Sequence, residues 1–212
     1  MLIGDCANKQ VGHARPFAPY LGMTDAIIPS DLTIIDYADA HAVAFHDINA
    51  EWIRSMFVLE AHDIHVLTHP RETIVDPGGV ILFAVTDAHG VVGTCALMKV
   101  AEGVFELTKM GVSESARGHK AGERLLCAML DRARTMDMTK LFLLTSSKCE
   151  AAIHLYEKHG FVHDAAIMQT YGATYERCDV AMSYPVELVA AAVPSCSELT
   201  PPSPRLTACR HE

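Results

Sequence analysis

Three apolar runs of strand length follow one another between residues 80 and 112, separated only by short turns. They are "VILFAVT" (80–86), "VVGTCALMKV" (91–100) and "GVFELTKMGV" (103–112). The first two flank the tight turn "DAHG" (87–90), and this pattern indicates an antiparallel hairpin. The centre of the chain is therefore predicted to form a meander of three strands.

Helices and further strands are predicted on both sides of this meander. Before it, residues 31–36 have the pattern of a strand, and residues 38–57 and 60–70 have the apolar recurrence of helices. After it come a helix, a strand, a helix closed by Gly160 and two more strands, at residues 120–135, 140–145, 150–159, 161–165 and 175–184. This order predicts an α+β fold in which helices pack on a mixed sheet.

The predicted domain covers residues 31–185, and both ends of the chain differ from it. Residues 1–30 form an N-terminal extension without the continuous apolar core of a secretory signal, and a weak organelle-targeting role stays open. Residues 186–212 are rich in Pro and Ser and have no periodicity, so we predict a disordered tail.

Charge and hydropathy exclude several classes of protein. A formal charge of −9, from 26 acidic and 17 basic side chains, argues against a duplex nucleic-acid binder, which needs a basic face. The longest apolar runs are too short to span a membrane. An acidic surface instead favours cationic small molecules through weak long-range attraction.

Cysteine and histidine are frequent, but their spacing does not indicate a site. The seven cysteines are scattered and include no CxxC pair, so we predict no disulfide framework or zinc knuckle, and a reducing, cytoplasmic location. His62 and His65 lie three residues apart, which is a weak metal signal, so we predict that no metal is bound and that both face solvent. Cys127 and Cys149 have no His–Asp pattern beside them and are not predicted as nucleophiles.

The stretch "SARGHKAGERLL" (115–126) places Arg117 and Lys120 directly before a predicted helix. A helix N-terminus has unpaired backbone N–H groups and a partial positive charge, so it can bind a phosphate with help from nearby cations. Gly118 and Gly122 let the backbone approach such an anion closely. The spacing alone leaves a second interpretation open, in which the turn is a solvated loop before an amphipathic helix.

Two segments together resemble the GNAT superfamily of acetyl-CoA-dependent N-acetyltransferases. One is "FELTKMGVSESARGHKAGERLL" (105–126), which is similar to the family's strand, its Arg/Gln-x-x-Gly-x-Gly/Ala turn and its helix. The other, more specific segment is "EAAIHLYEKHGF" (150–161), which has the family's Ala-Ile-x-Leu-Tyr-x-x-x-Gly-Phe pattern. The resemblance extends over most of residues 31–185 and implies a GNAT-like mixed, mostly antiparallel central sheet flanked by helices.

The resemblance also implies how acetyl-CoA, the co-substrate, is bound. Its diphosphate would lie on the turn and helix start formed by Arg117, Gly118, His119, Lys120, Ala121 and Gly122. In the family, the strand before the turn separates from its neighbour at a bulge, and its backbone binds the pantetheine. By resemblance, this role falls to Met110, Gly111 and Val112. The N–H near Met110 would also polarise the thioester oxygen.

Two positions depart from the family pattern. Lys120 stands where glycine is usual, so it has to adopt a backbone geometry that glycine takes easily, or shift the loop. Its ammonium could offset that strain beside the phosphates, and we expect cofactor binding to survive in weaker form. Cys149 stands about where many family members have an asparagine that helps to hold the cofactor arm, so that contact stays open.

Glu106 and Tyr156 are the predicted catalytic residues. Several family members carry a general base at the position of Glu106; the alternative is a carboxylate paired with Lys109 or Arg132 on the sheet surface. The pKa of a free Glu is about 4.3, and that of an alkylammonium is about 10.4. Direct proton transfer between them therefore needs burial that shifts these pKa values, or a water molecule that relays the proton. Tyr156 matches the family's usual acid, because a phenol is protonated at neutral pH and can donate to a thiolate. The alternative is a tyrosine that only packs on the core.

The acceptor site is predicted between two walls of the fold. Residues in the region of the first wall are Trp52, Phe57 and Glu60. Residues near the second wall are Tyr171, Tyr175 and Arg177. Arg177 could clamp the carboxylate of an amino-acid acceptor, or it could pair with Asp179 or Glu176 on an exposed strand.

These features predict an enzyme that moves an acetyl group from acetyl-CoA to the primary amine of a small molecule, by direct transfer in a ternary complex. Two alternatives stay open: a non-catalytic acyl-CoA-binding sensor domain, and a protein lysine or N-terminal acetyltransferase. The predicted partner is a small-molecule amine, with no nucleic acid and no membrane. Because members of the family are often dimers, a homodimer also stays open.

Overall fold

The computed structural model describes residues 32–116 and 120–185. The N-terminal extension, the C-terminal tail and the turn residues Arg117, Gly118 and His119 lie outside the described residues. The predictions made for them, and the predicted bounds of the domain, therefore stay predictions. Within the described residues, no helix is long and apolar enough to cross a membrane.

The described residues form strands, α-helices and short helical turns. The strands are β1 (Thr33–Asp36), β2 (Val80–Thr86), β3 (Gly90–Ala101), β4 (Val104–Val112), β5 (Lys140–Thr145), β6 (Val162–His163) and β7 (Val180–Tyr184). The α-helices are α1 (Ala42–Met56), α2 (Ala61–Thr68), α3 (Ala121–Ala133), α4 (Glu150–Lys158) and α5 (Ala165–Tyr171). Short 3-10 turns lie at Asp39–His41, Glu114–Ala116 and Gly172–Thr174, and a single π-helical turn lies at Arg71–Val75.

All seven strands belong to one sheet, in the order β1-β2-β3-β4-β5-β7-β6. β4 and β5 pair in parallel, and the other neighbouring strands pair antiparallel. Helices α1 and α2 pack on one face, and α3 and α4 pack on the other. The predicted mixed, mostly antiparallel sheet flanked by helices is confirmed.

Alternate residues of each central strand pack on different helices. In β2, Ile81 and Phe83 belong to the apolar cluster under α1 and α2, whereas Leu82 and Ala84 belong to the cluster under α3 and α4. Because both faces are covered, the sequence of β2 is apolar almost throughout and does not alternate. The predicted apolar stripe of α3 is buried as expected, through Leu125, Leu126, Met129, Leu130 and Ala133.

The chain after α4 differs from the prediction. Gly160 has a φ of +96°, as its predicted place after the helix requires. The strand predicted at residues 161–165 is only β6, because Asp164 caps α5 by accepting hydrogen bonds from the N–H groups of Ala166 and Ile167 at 2.9 and 3.2 Å. The last strand begins at Val180 and not at residue 175. The sequence prediction missed α5 and placed the segment 175–179 wrongly.

The parallel pairing of β4 with β5 ends after three residue pairs, of which the last is Glu106 with Phe142. β5 stays paired with β7 as far as Thr145. Beyond Glu106, β4 therefore has no strand partner on its β5 side, and the two strands diverge. This divergence opens the sheet in the middle.

Candidate active site

A cavity of about 770 Å³ lies where β4 and β5 diverge. Its walls come from the second half of β4, the end of α1, the end of β5, the start of α4 and the segment before β7. Gly122 at the start of α3 and Arg177 before β7 are both among its lining residues. The volume is that of a typical small-molecule site.

The β4 wall of the cavity contains a β-bulge. Thr108 pairs with Ala96 and Gly111 pairs with Thr94, so two residues of β4, Lys109 and Met110, oppose one residue of β3. Lys109 has a left-handed backbone conformation with a φ of +49°. The predicted pantetheine-binding residues Met110, Gly111 and Val112 all line the cavity directly after this bulge.

The start of α3 closes one side of the cavity. Lys120, the residue before the helix, has φ +57° and ψ +16°, so it adopts the left-handed conformation that its glycine-like position predicts. Ala121 is buried in the core. A Cβ atom added to Gly122 would lie 3.6 Å from both the Cε of Met110 and the Cγ2 of Val112. The helix start therefore lies directly beside the cavity wall of β4.

Tyr156 connects α4 to β4 across the cavity. Its side chain is 8% exposed and lines the cavity, and its hydroxyl donates to the Sδ of Met110 at 3.8 Å. Its ring also packs on Phe161, with 5.7 Å between the ring centroids. Burial raises the pKa of Tyr156, and Cys95 and Cys149 raise it further. The phenol is therefore protonated at neutral pH, and it is both a core residue and a cavity residue.

Glu106 lies at the last parallel pair of β4, below the cavity and not in its lining. The residue is 3% exposed, and burial raises the pKa of its carboxyl to about 7, although Lys109, a hydrogen bond from Thr108 and Arg177 lower it. The alternative of a carboxylate paired on the sheet surface is wrong, because the residue is buried and Arg132 binds Asp36 instead. Glu106 can therefore gain and lose a proton near neutral pH.

A buried ionic cluster joins α2 to β4 and to the segment before β7. The carboxylate of Asp63 is fully buried and accepts hydrogen bonds from the Nζ of Lys109 at 2.8 Å and from two nitrogens of Arg177 at 2.6 and 2.9 Å. Burial raises the pKa of Asp63, but the bonds and charges of the two cations offset this, and its pKa is lowered overall. Arg177 also donates to Glu60 at 2.8 Å.

These contacts change what Arg177 can do. The predicted pairing with Asp179 or Glu176 is wrong, since its guanidinium binds Asp63 and Glu60. Those partners occupy its donors, and a substrate carboxylate would have to compete with them. Asp179 instead accepts hydrogen bonds from the backbone and side chain of Ser147, both at 2.6 Å.

The predicted substrate residues Trp52, Phe57, Tyr175 and Arg177 all line the cavity. The rings of Trp52 and Phe57 are 6.1 Å apart, and the ammonium of Lys148 lies 5.7 Å from the ring of Phe57. Tyr175 is buried, with its ring 4.8 Å from the Nζ of Lys109. The structure therefore brings both predicted walls to one cavity.

Other residues predicted near the site lie elsewhere. Glu60 and Tyr171 do not line the cavity, and Tyr171 stacks on Phe142 with 4.4 Å between the ring centroids. His65 is exposed as expected, but His62 is half-buried with its ring 5.2 Å from that of Tyr175. Within the described ranges, no group of three or more His, Cys, Asp or Glu side chains is placed to hold a metal ion.

Sequence reasoning missed several residues of this site. Asn49, Lys109 and Lys148 line the cavity, and Asp63 holds one of its walls. A lysine in the middle of a strand, close to Glu106, which is also buried, was the available signal for Lys109. The signal for Asp63 was the Glu-x-x-Asp spacing of Glu60 and Asp63, which is typical of a helix cap, and Asp63 does complete the cap of α2.

Comparison with known proteins decides the family. Residues 39–161 match the family model described as Acetyltransferase (GNAT) family. The chain belongs to this family. The amino-acid acetyltransferase of Ralstonia nicotianae is 33% identical over 96 residues, which are 44% of this chain and 20% of that protein. The chain thus matches about a fifth of the length of this curated relative.

Solved structures of GNAT proteins share the fold. A GNAT-family acetyltransferase from Staphylococcus aureus has a TM-score of 0.65 at 18% identity, over 72% of this chain and 98% of the other. The N-acetylglutamate synthase of Neisseria gonorrhoeae, in complex with coenzyme A and L-arginine, has a TM-score of 0.51 at 19% identity, over 73% of this chain and 33% of the other.

Proposed function

We propose that this GNAT acetyltransferase transfers the acetyl group of acetyl-CoA to the primary amine of a small molecule, such as an amino acid, in a ternary complex. The observation that carries the proposal is the cavity in which the hydroxyl of Tyr156 faces the β4 bulge. The resemblance of part of the chain to an enzyme named amino-acid acetyltransferase supports an amino acid as acceptor.

The residues present fit an acyl-CoA thioester. The β4 edge from Met110 to Val112 has no partner on its β5 side, so its backbone can accept an extended ligand. Gly122 leaves room beside it, and the N-terminus of α3 favours negative charge. Acetyl-CoA supplies the activated acyl group, and the protein supplies binding, orientation and proton transfer.

Tyr156 acts as the acid in this proposal. The neutral amine nitrogen forms a bond to the thioester carbonyl carbon, the carbon–sulfur bond breaks, and the leaving thiolate takes the phenolic proton. The nitrogen then loses its second proton as the amide forms, and this proton restores the phenol of Tyr156. The pKa of a free thiol is about 8.5, which is below that of a phenol, so the pKa difference alone does not favour this proton transfer. The transfer is nevertheless needed, because the thiolate has to be protonated as it leaves a buried site. Burial raises the pKa of Tyr156, so the phenol carries its proton at neutral pH, although it is a weaker acid than a free phenol.

Glu106 acts as the base, through water. Because its carboxyl does not line the cavity, the excess proton of the substrate ammonium passes to it through solvent and then leaves the protein. A pKa of about 7 brings the carboxyl within about three units of an alkylammonium, so the transfer costs roughly 5 kcal/mol and not roughly 8. Burial thus provides the tuning that the proposed reaction needs.

Acetylation of a panel of amines tests the proposal. Purified protein is mixed with acetyl-CoA and separate amino acids, polyamines and aminoglycosides, and free thiol is followed against an amine-free blank. We expect at least one amine to exceed the blank, and Tyr156→Phe to abolish that excess. Coenzyme A binding by calorimetry without any turnover would support the sensor domain instead. Acetylated peptides without acetylated small amines would support a protein acetyltransferase.

A further inference from the structure

We infer that Lys109 is a positioning residue, whose buried ammonium, anchored on Asp63, holds the β4 bulge in the left-handed conformation that directs Met110 into the cavity. This inference rests on the proposed acetyl transfer and adds a residue to its machinery. It concerns the backbone that would bind the thioester, and not a group that reacts.

The backbone at Lys109 is held in an unfavourable conformation. Its φ of +49° is one of two positive φ values found at non-glycine residues of the described ranges, and Lys120 has the other. A lysine has no intrinsic preference for this region, which a Cβ atom disfavours. Such a conformation persists only where its surroundings determine it.

The surroundings of Lys109 provide a rigid anchor. Its side chain is 3% exposed, and its Nζ donates to the Oδ1 of Asp63 at 2.8 Å and to the hydroxyl of Tyr175 at 3.1 Å. Asp63 is fixed from two further directions. It accepts from the backbone N–H of Glu60 in the cap of α2, and it forms a two-nitrogen contact with Arg177. The ammonium of Lys109 is therefore held by α2 and by the segment before β7.

The direction of the Lys109 side chain explains why the anchor acts on the bulge. The ammonium of Lys109 binds Asp63 on α2, whereas the side chain of Met110, the next residue, contacts the hydroxyl of Tyr156 on α4. The planar peptide unit after Lys109 leads directly to Met110, so a backbone held at Lys109 sets the direction in which the chain enters Met110. The anchor thus determines where the Met110 backbone faces the thioester.

The same ammonium acts on the proposed base. The charged and titratable groups that influence Glu106 are Lys109 on β4, Asp63 on α2, and Arg177, Tyr175 and Cys178 before β7. Its partners on the neighbouring strands, Met98 and Phe142, carry no charge. Lys109 is one of two cations in this set, so its removal raises the pKa of Glu106.

Two substitutions separate the backbone effect from the charge effect. Lys109→Met and Lys109→Gly both remove the ammonium, but only glycine takes a positive φ without cost. We expect the methionine variant to raise the KM and the calorimetric Kd for acetyl-CoA about tenfold, and the glycine variant to recover part of this loss. Both variants should shift the acid limb of kcat/KM upward by about half to one pH unit. Lys99→Met, which breaks an exposed ion pair with Glu102, is the matched control and should change none of these values.

Equal losses in both variants, with an unmoved acid limb, would show that Lys109 only fills space and would overturn the inference. Circular dichroism establishes that each variant is folded, and Lys109→Gln replaces the methionine variant if that one does not fold. The calorimetric Kd for acetyl-CoA can be measured without any turnover. If no amine is acetylated, the proposed function fails, and the difference in Kd between the two variants still decides the role of the anchor.

Discussion

The hydroxyl oxygen of Tyr156 lies 3.8 Å from the Sδ of Met110, so α4 and β4 meet across the cavity at these two residues. A thioether is a weak hydrogen-bond acceptor. The phenolic proton can therefore turn to a stronger acceptor at little cost. This contact places a buried donor beside the backbone that would hold the thioester.

Replacing Tyr156 by phenylalanine should lower kcat about 100- to 10,000-fold, because the leaving thiolate loses its proton donor. The KM values should change little, since the ring and its packing on Phe161 are retained. Steady-state kinetics with the best amine measure both parameters, and thermal unfolding shows that the fold is intact. A variant with nearly normal kcat would remove Tyr156 from the chemistry.

The activity should depend on the ionisation of Glu106. Because burial raises the pKa of this carboxyl to about 7, kcat/KM should increase with pH through that value as the base form appears. Glu106→Gln should lower kcat/KM about 100-fold at pH 8 and eliminate this limb. A pH profile of the initial rate of both proteins, at amine concentrations well below KM, makes the comparison. An unchanged limb in the variant would assign it to another group.

Folding stability should respond to the same carboxyl with a defined sign. A folded-state pKa of about 7, above the ordinary value of 4.5, means that the native state binds the proton more tightly than the unfolded chain. The contribution of Glu106 is therefore neutral below pH 4.5 and becomes unfavourable as the pH rises to 7. Relative to the wild type, Glu106→Gln should gain roughly 2–4 kcal/mol between pH 4.5 and pH 8 in urea unfolding. A constant difference between the two proteins would contradict the buried-carboxyl account.

Gly122→Ala should have opposite effects on stability and binding. The added methyl fits at 3.6 Å from its neighbours, and alanine favours the helix by up to about 1 kcal/mol. The methyl would, however, occupy the cavity side of the α3 start, so the KM for acetyl-CoA should increase about five- to tenfold. Chemical unfolding and initial rates measure the two effects. A more stable protein with unchanged KM would place the co-substrate elsewhere.

Lys120→Gly should stabilise the protein by about 1 kcal/mol, because the lysine has a φ of +57°. Lys120→Ala is the matched control, since it removes the same charge but keeps a Cβ atom in the left-handed conformation. We expect no gain from alanine. Equal stabilities of the two variants, measured by urea unfolding, would show that this backbone conformation carries no cost.

Much of the fold follows from local patterns. The meander, the α3 stripe and the cap at Gly160 are each encoded within a few consecutive residues, and each is confirmed. α5 was missed because it has only seven residues, too few to show a helical period, although Asp164 was a cap signal. The apolar pattern alone did not indicate the β4 bulge, which the family resemblance implied and the structure places at Lys109 and Met110.

The ionic cluster shows why the site is less predictable than the fold. Asp63 is 46 residues from Lys109 and 114 residues from Arg177, so no local window contains these contacts. In the sequence, Glu176 and Asp179 are the acidic residues near Arg177, and they were therefore considered as its partners. The fold turns the guanidinium of Arg177 away from both. By contrast, the left-handed Lys120 was predictable, because a family motif marks its position as one for glycine.

The opening between β4 and β5 is fixed by main-chain pairing, which ends at Glu106 and Phe142 whatever side chains follow. Residues that line the cavity, such as Trp52 and Phe57, lie outside that pairing. Substitutions at these positions should therefore change which molecules enter the cavity and leave the hydrogen-bonded junction of the two strands in place.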